Sequence, residues 1–319
     1  MIDYSVAAAP NSASFRFSGH ETFAFRHAWL PKAYRLLQQD SRAFTNVDRA
    51  MIELGLGKNM VRALRFWVEA AGVARPDGKR GLELTNFAND VLDPNGQDPY
   101  LEDVRTLWLL HWNLSARSES ALFAWRYLLS HWAFPELTRT EALAAFARES
   151  VRLGHSHSAI TLSQHLDAFL HTYLPSRSRR VGIEDSLDGP LVDLTLLEPV
   201  GERRADGGRR ETIFAFRYEP KTEITPALFD YCLDHFWRGF RAGDETLTLR
   251  EVTFGPCSPG QVFKLPEDAV RSRVEAYAAP GADRPFLYQP SAVQGLISRR
   301  GGAKPVTFAD IYEAETVDA

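Results

Sequence analysis

Residues 45–92 read TNVDRAMIELGLGKNMVRALRFWVEAAGVARPDGKRGLELTNFANDVL. Thr45-Asn46 ahead of Val47-Asp48 is an N-cap signature, because a short polar side chain there accepts a bond from an otherwise orphaned helix N–H. The helix it opens is predicted to stop near Leu54, where Gly55 and Gly57 allow a sharp turn. Beyond the turn, Met60, Val61, Leu64, Trp67, Val68 and Ala71 recur at helical spacing, while Lys58, Asn59, Arg62 and Arg65 fall off that stripe. RPDGKRG then supplies a basic turn, with Arg75, Lys79 and Arg80 around Asp77-Gly78, before LELTNFANDVL returns to an apolar strand and a short helix. Helix, tight turn, helix and basic hairpin predict a winged helix-turn-helix, and with it DNA binding.

Toward the N-terminus, Trp29, Leu30, Ala33, Leu36 and Leu37 share one helical face, with Lys32 and Arg35 opposite, which predicts a first helix. Residues 1–14 are small, polar and Ala-rich and read as a disordered lead-in, with order beginning near Phe15. Toward the C-terminus, EDVRTLWLLHWNL, SESALFAWRYLLSHW and RTEALAAFARESVRLG are helix formers, with caps expected at Ser118-Glu119 and at Thr138–Glu141. Trp108, Trp112, Trp125 and Trp132 within them are expected in the core. A further helix is predicted from Ser158 to Tyr173, then strand-like alternation over 181–218 around the hairpin signal GERRADGGRRE. A third helical and strand unit runs through TPALFDYCLDHFWRGF, TLTLREVTFG and LPEDAVRSRVEAY to an apolar finish near Leu287-Tyr288. The expected fold class is helix-rich α+β, with the N-terminal winged helix-turn-helix followed by helical and further winged-helix-like modules. The expected division is a lead-in over 1–14, a DNA-binding domain over 15–100, a helical domain over 101–175 and an α+β domain over 176–319.

The 319-residue chain has a formal charge of -4, which argues against a protein that coats nucleic acid by bulk positive charge. The charge is uneven: residues 11–92 hold twelve Lys and Arg against eight Asp and Glu, a balance of +4 that leaves -8 for the remainder. Two cysteines far apart in sequence, Cys232 and Cys257, give no zinc knuckle and suit a reducing compartment. Without a basic n-region, an apolar leader or an 18-residue apolar run, the chain is expected to be cytoplasmic, with no membrane contact.

Candidate sites follow from residue chemistry. Lys58, Asn59, Arg62 and Arg65 on the second helix of the motif, and Arg75, Lys79 and Arg80 in the wing, are the expected contacts to double-stranded DNA. Ser18, His20, Glu21 and Arg26 stand among Phe15, Phe17, Phe23 and Phe25. For phosphodiester cleavage, His20 or Glu21 would activate water or bind a divalent ion, Mg²⁺ or Mn²⁺, and Arg26 would neutralise charge on the phosphorane. Equally, Ser18 would cap a turn and Glu21 would pair with Arg26 in a structural role. His155, His157, His165 and His171 are weighed as a metal set and favoured as structural. SRSRR at 176–180 with Arg203, Arg204, Arg209 and Arg210 is a second candidate phosphate surface. Cys232 reads as core, and Cys257 as a loop thiol open to sulfur relay. No HNH, PD-(D/E)xK or P-loop pattern is present, and no organic cofactor is expected.

FSGHETFAFRHAWLPKAYRLL at 17–37 with ELGLGKNMVRALRFWVEAAGV at 53–73, and more weakly SPGQVFKLPEDAV at 258–270, resembles a bacterial family of formerly unknown function associated with DNA phosphorothioation, the SspB-like family. The resemblance implies a DNA nicking endonuclease of a phage-defence system, opening one strand so that sulfur replaces a non-bridging phosphate oxygen. It also implies cysteine desulfurase, reductase and ATPase partners.

Overall fold

A computed structural model describes residues 14–78, 81–175, 189–204, 208–279, 284–291 and 294–313. Helix α1 (Trp29–Gln39) buries Trp29, Leu30, Ala33, Leu36 and Leu37, the face its apolar spacing marks out. Helix α2 (Val47–Leu54) opens on Asn46, whose side chain accepts from the Arg49 N–H, and closes on Gly55 in the left-handed region at φ +65°, a conformation that costs glycine little. Helix α3 (Lys58–Ala70) follows Gly57 and buries Val61, Leu64, Trp67 and Val68. Strands β2 (Ala74–Pro76) and β3 (Leu82–Leu84) pair as an antiparallel hairpin, and α4 (Asn86–Leu92) starts on a Thr85 cap.

Helix α5 (Val104–Ser115), unlike these amphipathic helices, is apolar on nearly every side and is buried from Thr106 to Trp112. Around it the chain lays down β4 (Ala121–Leu122), α6 (Phe123–Ser130), β5 (Glu136–Thr138), α7 (Arg139–Arg152), α8 (Ala159–Tyr173) and the hairpin β6 (Leu197–Arg204) and β7 (Arg210–Phe216). The Thr138–Glu141 signal forms a capping box on α7 as expected, and Ser158, at the expected start of the next helix, caps α8. Ser118-Glu119 caps nothing; β4 intervenes, and α6 begins at Phe123 behind Leu122, which has no side chain able to cap. Of the alternation expected over 181–218, residues 181–188 lie outside the described residues, Pro190–Leu194 coils into a 3-10 turn that buries Pro190, Leu191 and Leu194, and strand follows from Leu197.

The last third begins with α9 (Pro226–Phe240) and β8 (Thr246–Thr248). TLTLREVTFG divides at Thr248, which makes a capping box with Glu251 and turns the remainder into α10 (Leu249–Phe254). Then come α11 (Pro259–Val262), α12 (Glu267–Glu275), the hairpin β9 (Phe286–Gln289) and β10 (Leu296–Arg299), and α13 (Phe308–Tyr312).

Two stretches share one order: helix, short strand, helix, helix, hairpin. In α6-β5-α7-α8-β6-β7 the short strand pairs with the last strand of the hairpin, giving β5-β7-β6. In α9-β8-α10-α12-β9-β10 the same pairing gives β8-β10-β9. The N-terminal stretch α1-α2-α3-β2-β3 has the same helices and hairpin, and a single Leu82 N–H to Ser41 C=O bond stands where the short strand would pair. Because β5 and β7 share a sheet, residues 136–138 are tied to 210–216 across the division expected at 175–176.

One buried apolar cluster runs from Phe17 to Ile311, and Trp108, Trp112, Trp125 and Trp132 lie in it as expected. The expected lead-in, residues 1–14, lies outside the described residues except for its last position. The structure is α+β, with helices around small two- and three-stranded sheets, and among the described residues no helix is long and apolar enough to cross a membrane.

Candidate nucleic-acid interface

Helix α3 presents two faces with different tasks. Its outer face exposes Lys58, Asn59 and Arg62, and neither Lys58 nor Arg62 makes an ion pair among the described residues. Arg65, one turn on, is half-buried and bound to Glu69 at 3.2 Å. In the hairpin, Arg75 is exposed but paired with Glu83, its cross-strand neighbour, at 3.0 Å. Lys79 and Arg80 lie outside the described residues.

The equivalent helices of the other two stretches carry no such surface. Helix α8 contains no Lys or Arg, and α12 has Arg271 paired with Glu267 while Arg273 donates to the carbonyls of Ile224 and Lys221. The candidate surface around Arg203, Arg204, Arg209 and Arg210 is exposed on the β6–β7 hairpin, but Arg203 pairs with Glu141 and Arg210 with Glu202. SRSRR at 176–180 lies outside the described residues.

The inner face of α3 receives the 17–23 segment. Strand β1 (Phe15–Arg16) pairs in parallel with β4, and Phe17 stacks on Phe123 at 4.3 Å between ring centres. The Arg16 guanidinium lies over the Phe66 ring and faces Glu69 at 3.6 Å. Trp67 Nε1 donates to the Phe23 carbonyl at 3.0 Å. The two blocks at 17–37 and 53–73 therefore form one packed unit.

Within the first block the chain makes a turn with Gly19 at φ +112°, Glu21 at +49° and Thr22 at +68°. Two consecutive non-glycine residues in the left-handed region are a local cost that the surrounding packing must offset, and such strain gathers at functional sites. Gly19 is required: a Cβ there would stand 2.8 Å from Phe66 Cδ2.

The turn delivers His20 into the junction of α3 and α8. Its ring meets Phe66 edge-on and stacks on His165 at 5.6 Å, and its Nε2 is 3.4 Å from His165 Nδ1. His165 Nε2 in turn lies 3.0 Å from the Ala124 amide N. The Nδ1 of His20 is buried with no hydrogen-bond partner among the described residues. Burial, and then the Arg16 charge, hold the His20 imidazole down to about 4, so it is neutral at pH 7. Burial pushes His165 well below the ordinary histidine range.

Ser18, Glu21 and Thr22 are exposed around this buried imidazole. Arg26 lies over the rings of Phe23 and Trp29.

Of the other candidates, His155 and His157 gather with His165 on the Phe17 ring, an association that spacing alone did not reveal, while His171 is exposed on α8. Among the described residues no group of three or more His, Cys, Asp and Glu is placed to hold a metal ion. Cys232 is core as expected. Cys257 is not an open loop thiol: it is fully buried, its N–H donates to Ser130 Oγ, and burial raises its thiol pKa, so the reactive thiolate is disfavoured.

The family described as "Protein of unknown function (DUF4007)" matches residues 17–296. Two solved structures are similar over nearly the whole chain. The crystal structure of SspB with bound magnesium ion aligns with TM-score 0.77 and 26% identity, covering 95% of this chain and 91% of that one. A second SspB crystal structure aligns with TM-score 0.77 and 26% identity, covering 96% and 92%. No curated protein matches.

Proposed function

This chain belongs to the DUF4007 family, and on that premise we propose that it is a DNA-binding component of a phosphorothioation-based phage-defence system that nicks one strand of duplex DNA. The three helix-and-hairpin stretches are winged-helix units, with the first, over 15–100, as the DNA reader and the other two as scaffold. The observation that carries this reading is the charge distribution over the third helices. Helix α3 alone among them presents exposed cations with no ion pair, Lys58 and Arg62, beside Asn59. Such residues at the start of a recognition helix meet phosphates and base edges. Arg65 on α3 and Arg75 on the hairpin would extend the contact, as would Lys79 and Arg80, which lie outside the described residues.

The nicking site is the 18–26 turn. Glu21 is exposed beside His20 and would orient the attacking water, and Arg26 would neutralise charge at phosphorus. Residues 18–26 contain one carboxylate, Glu21, and no step is derived through a metal. The alternative is a non-enzymatic DNA-binding regulator or assembly factor of the same system. Either role would place the chain in the cytoplasm beside the cysteine desulfurase, reductase and ATPase components.

Incubating supercoiled plasmid with the full chain, with and without added Mg²⁺ or Mn²⁺, tests the nickase. Conversion to open circles that disappears in His20→Ala or Glu21→Ala, with duplex binding retained, supports it. Binding without conversion under any ion leaves the regulator, and no salt-dependent duplex binding refutes both.

A further inference from the structure

The hydrogen bonds around His20 determine where its proton sits. A backbone N–H only donates, so His165 Nε2, facing the Ala124 N–H at 3.0 Å, carries a lone pair. The buried, neutral His165 ring therefore holds its proton on Nδ1. That Nδ1–H faces His20 Nε2 at 3.4 Å, so the His20 nitrogen accepts. A neutral imidazole that accepts at Nε2 is protonated at Nδ1, and this is the atom of His20 left without a partner.

We propose that His165 is a positioning residue that locks His20 as an Nδ1–H donor, and that the group this donor takes is a non-bridging oxygen of a DNA phosphodiester. The assignment rests on the reading that duplex DNA reaches the 18–26 turn. A lone buried N–H calls for an acceptor, and leaving one unmade is costly. Arg16, the cation whose charge acts on His20, favours an anionic acceptor while sharing its charge with Glu69 at 3.6 Å, and because the Nδ1 is closed to solvent the turn must open for the phosphodiester oxygen to reach it. Gly19, Glu21 and Thr22, all at positive φ, hold the imidazole in this place despite its orphaned N–H.

The lock also removes two roles. A general base and a metal ligand each need a free ring lone pair, and the only one on His20 is occupied by His165. His20 thus stabilises charge on the phosphate, and proton abstraction from water falls to another group.

The test reads tautomers directly, by long-range ¹H–¹⁵N spectra of the ¹⁵N-histidine-labelled full chain at pH 7.5, with His20→Gln used for assignment. His165→Asn keeps an amide N–H where Nδ1 stood, whereas His165→Gln places its amide at the Nε2 position and offers His20 no donor. The expected result is an Nδ1–H tautomer for His20 in the wild type and in His165→Asn, and a tautomer mixture in His165→Gln. Adding a short duplex shifts the His20 Nδ1 signal, and His165→Gln slows nicking about tenfold or more, a loss that His165→Asn largely restores. An Nε2–H tautomer or an imidazolium in the wild type overturns the lock, whatever the variants do. A duplex that binds and leaves the Nδ1 signal unmoved overturns the phosphodiester assignment alone. A chain that binds no duplex overturns that assignment together with the DNA reading, while the spectra of the free protein still decide the lock.

Discussion

The guanidinium of Arg16 lies over the ring of Phe66, 4.3 Å from its centre. The edge of the same ring meets His20, so one aromatic side chain on the inner face of α3 supports both groups of the 15–20 segment. Phe66→Ala removes that support and leaves a cavity where the ring is 3% exposed. The expected loss is about 3–5 kcal/mol, read by urea unfolding. A change below about 1 kcal/mol would mean that the segment does not pack on α3.

Gly19→Ala sets both a positive φ and a 2.8 Å approach to Phe66 against the new methyl group. The turn must shift, moving His20, while Lys58 and Arg62 on the outer face stay in place. The substitution is expected to lower stability by more than about 1 kcal/mol and to abolish nicking before duplex affinity changes. Equal loss of affinity and nicking in a folded variant would contradict this separation of faces.

Lys58→Ala with Arg62→Ala removes two unpaired cations. Fluorescence anisotropy against salt concentration is expected to show weaker binding to every duplex and a log–log slope shallower by about 2. Charge removal at Arg271, already paired with Glu267 on α12, is expected to leave the slope unchanged. An unaltered slope in the double variant would place DNA elsewhere.

Stability is expected to fall with acid. Burial holds His20 down to about 4 and His111 to about 3, both below the ordinary histidine value near 6.5. The unfolded chain therefore takes up protons that the folded one refuses, and stability present above about pH 6.5 is lost as pH drops toward the folded values. Between pH 7 and 5 each such imidazole is worth about 2 kcal/mol. The opposite end behaves alike: Lys264 is fully buried and held to about 7, so its contribution grows as pH rises from there toward the ordinary lysine value. Urea unfolding at constant ionic strength checks both windows, and a flat profile from pH 7 to 5 would show that these histidines charge freely in the folded chain.

Cys232 and Cys257 are both buried, with thiol pKa values raised by burial. A thiol reagent at pH 7.5 is expected to modify neither in the native protein and both in denaturant. Rapid native labelling of Cys257 would restore the sulfur-relay reading.

Local chemistry carries far in this chain. The Asn46 cap, Gly55 stop, apolar stripe of α3 and the basic turn at 75–80 each have a short-range physical cause, so residues 45–92 predict their own helices and hairpin. The capping box at Thr138 and the start of a helix at Ser158 are legible for the same reason. The strand-like residues of TLTLREVTFG were ambiguous because a three-residue strand and a capped two-turn helix share an apolar composition, and only the pairing of β8 with β10 separates them. Lys58 and Arg62 were visible as basic residues off an apolar stripe. That they make no ion pair among the described residues, while Arg65, Arg75, Arg203 and Arg210 do, depends on carboxylates brought near by folding.

The candidate site divides along the same line. The sequence by itself determined that His20 sits in a short polar run between aromatics, next to a glycine. Only the tertiary structure decided what His20 is, because Phe66, His165 and the Ala124 N–H come from 46, 145 and 104 positions away and together set its burial, charge and tautomer. Hydrogen bonds across such separations leave no periodic trace in the chain, whereas caps, turns and stripes do.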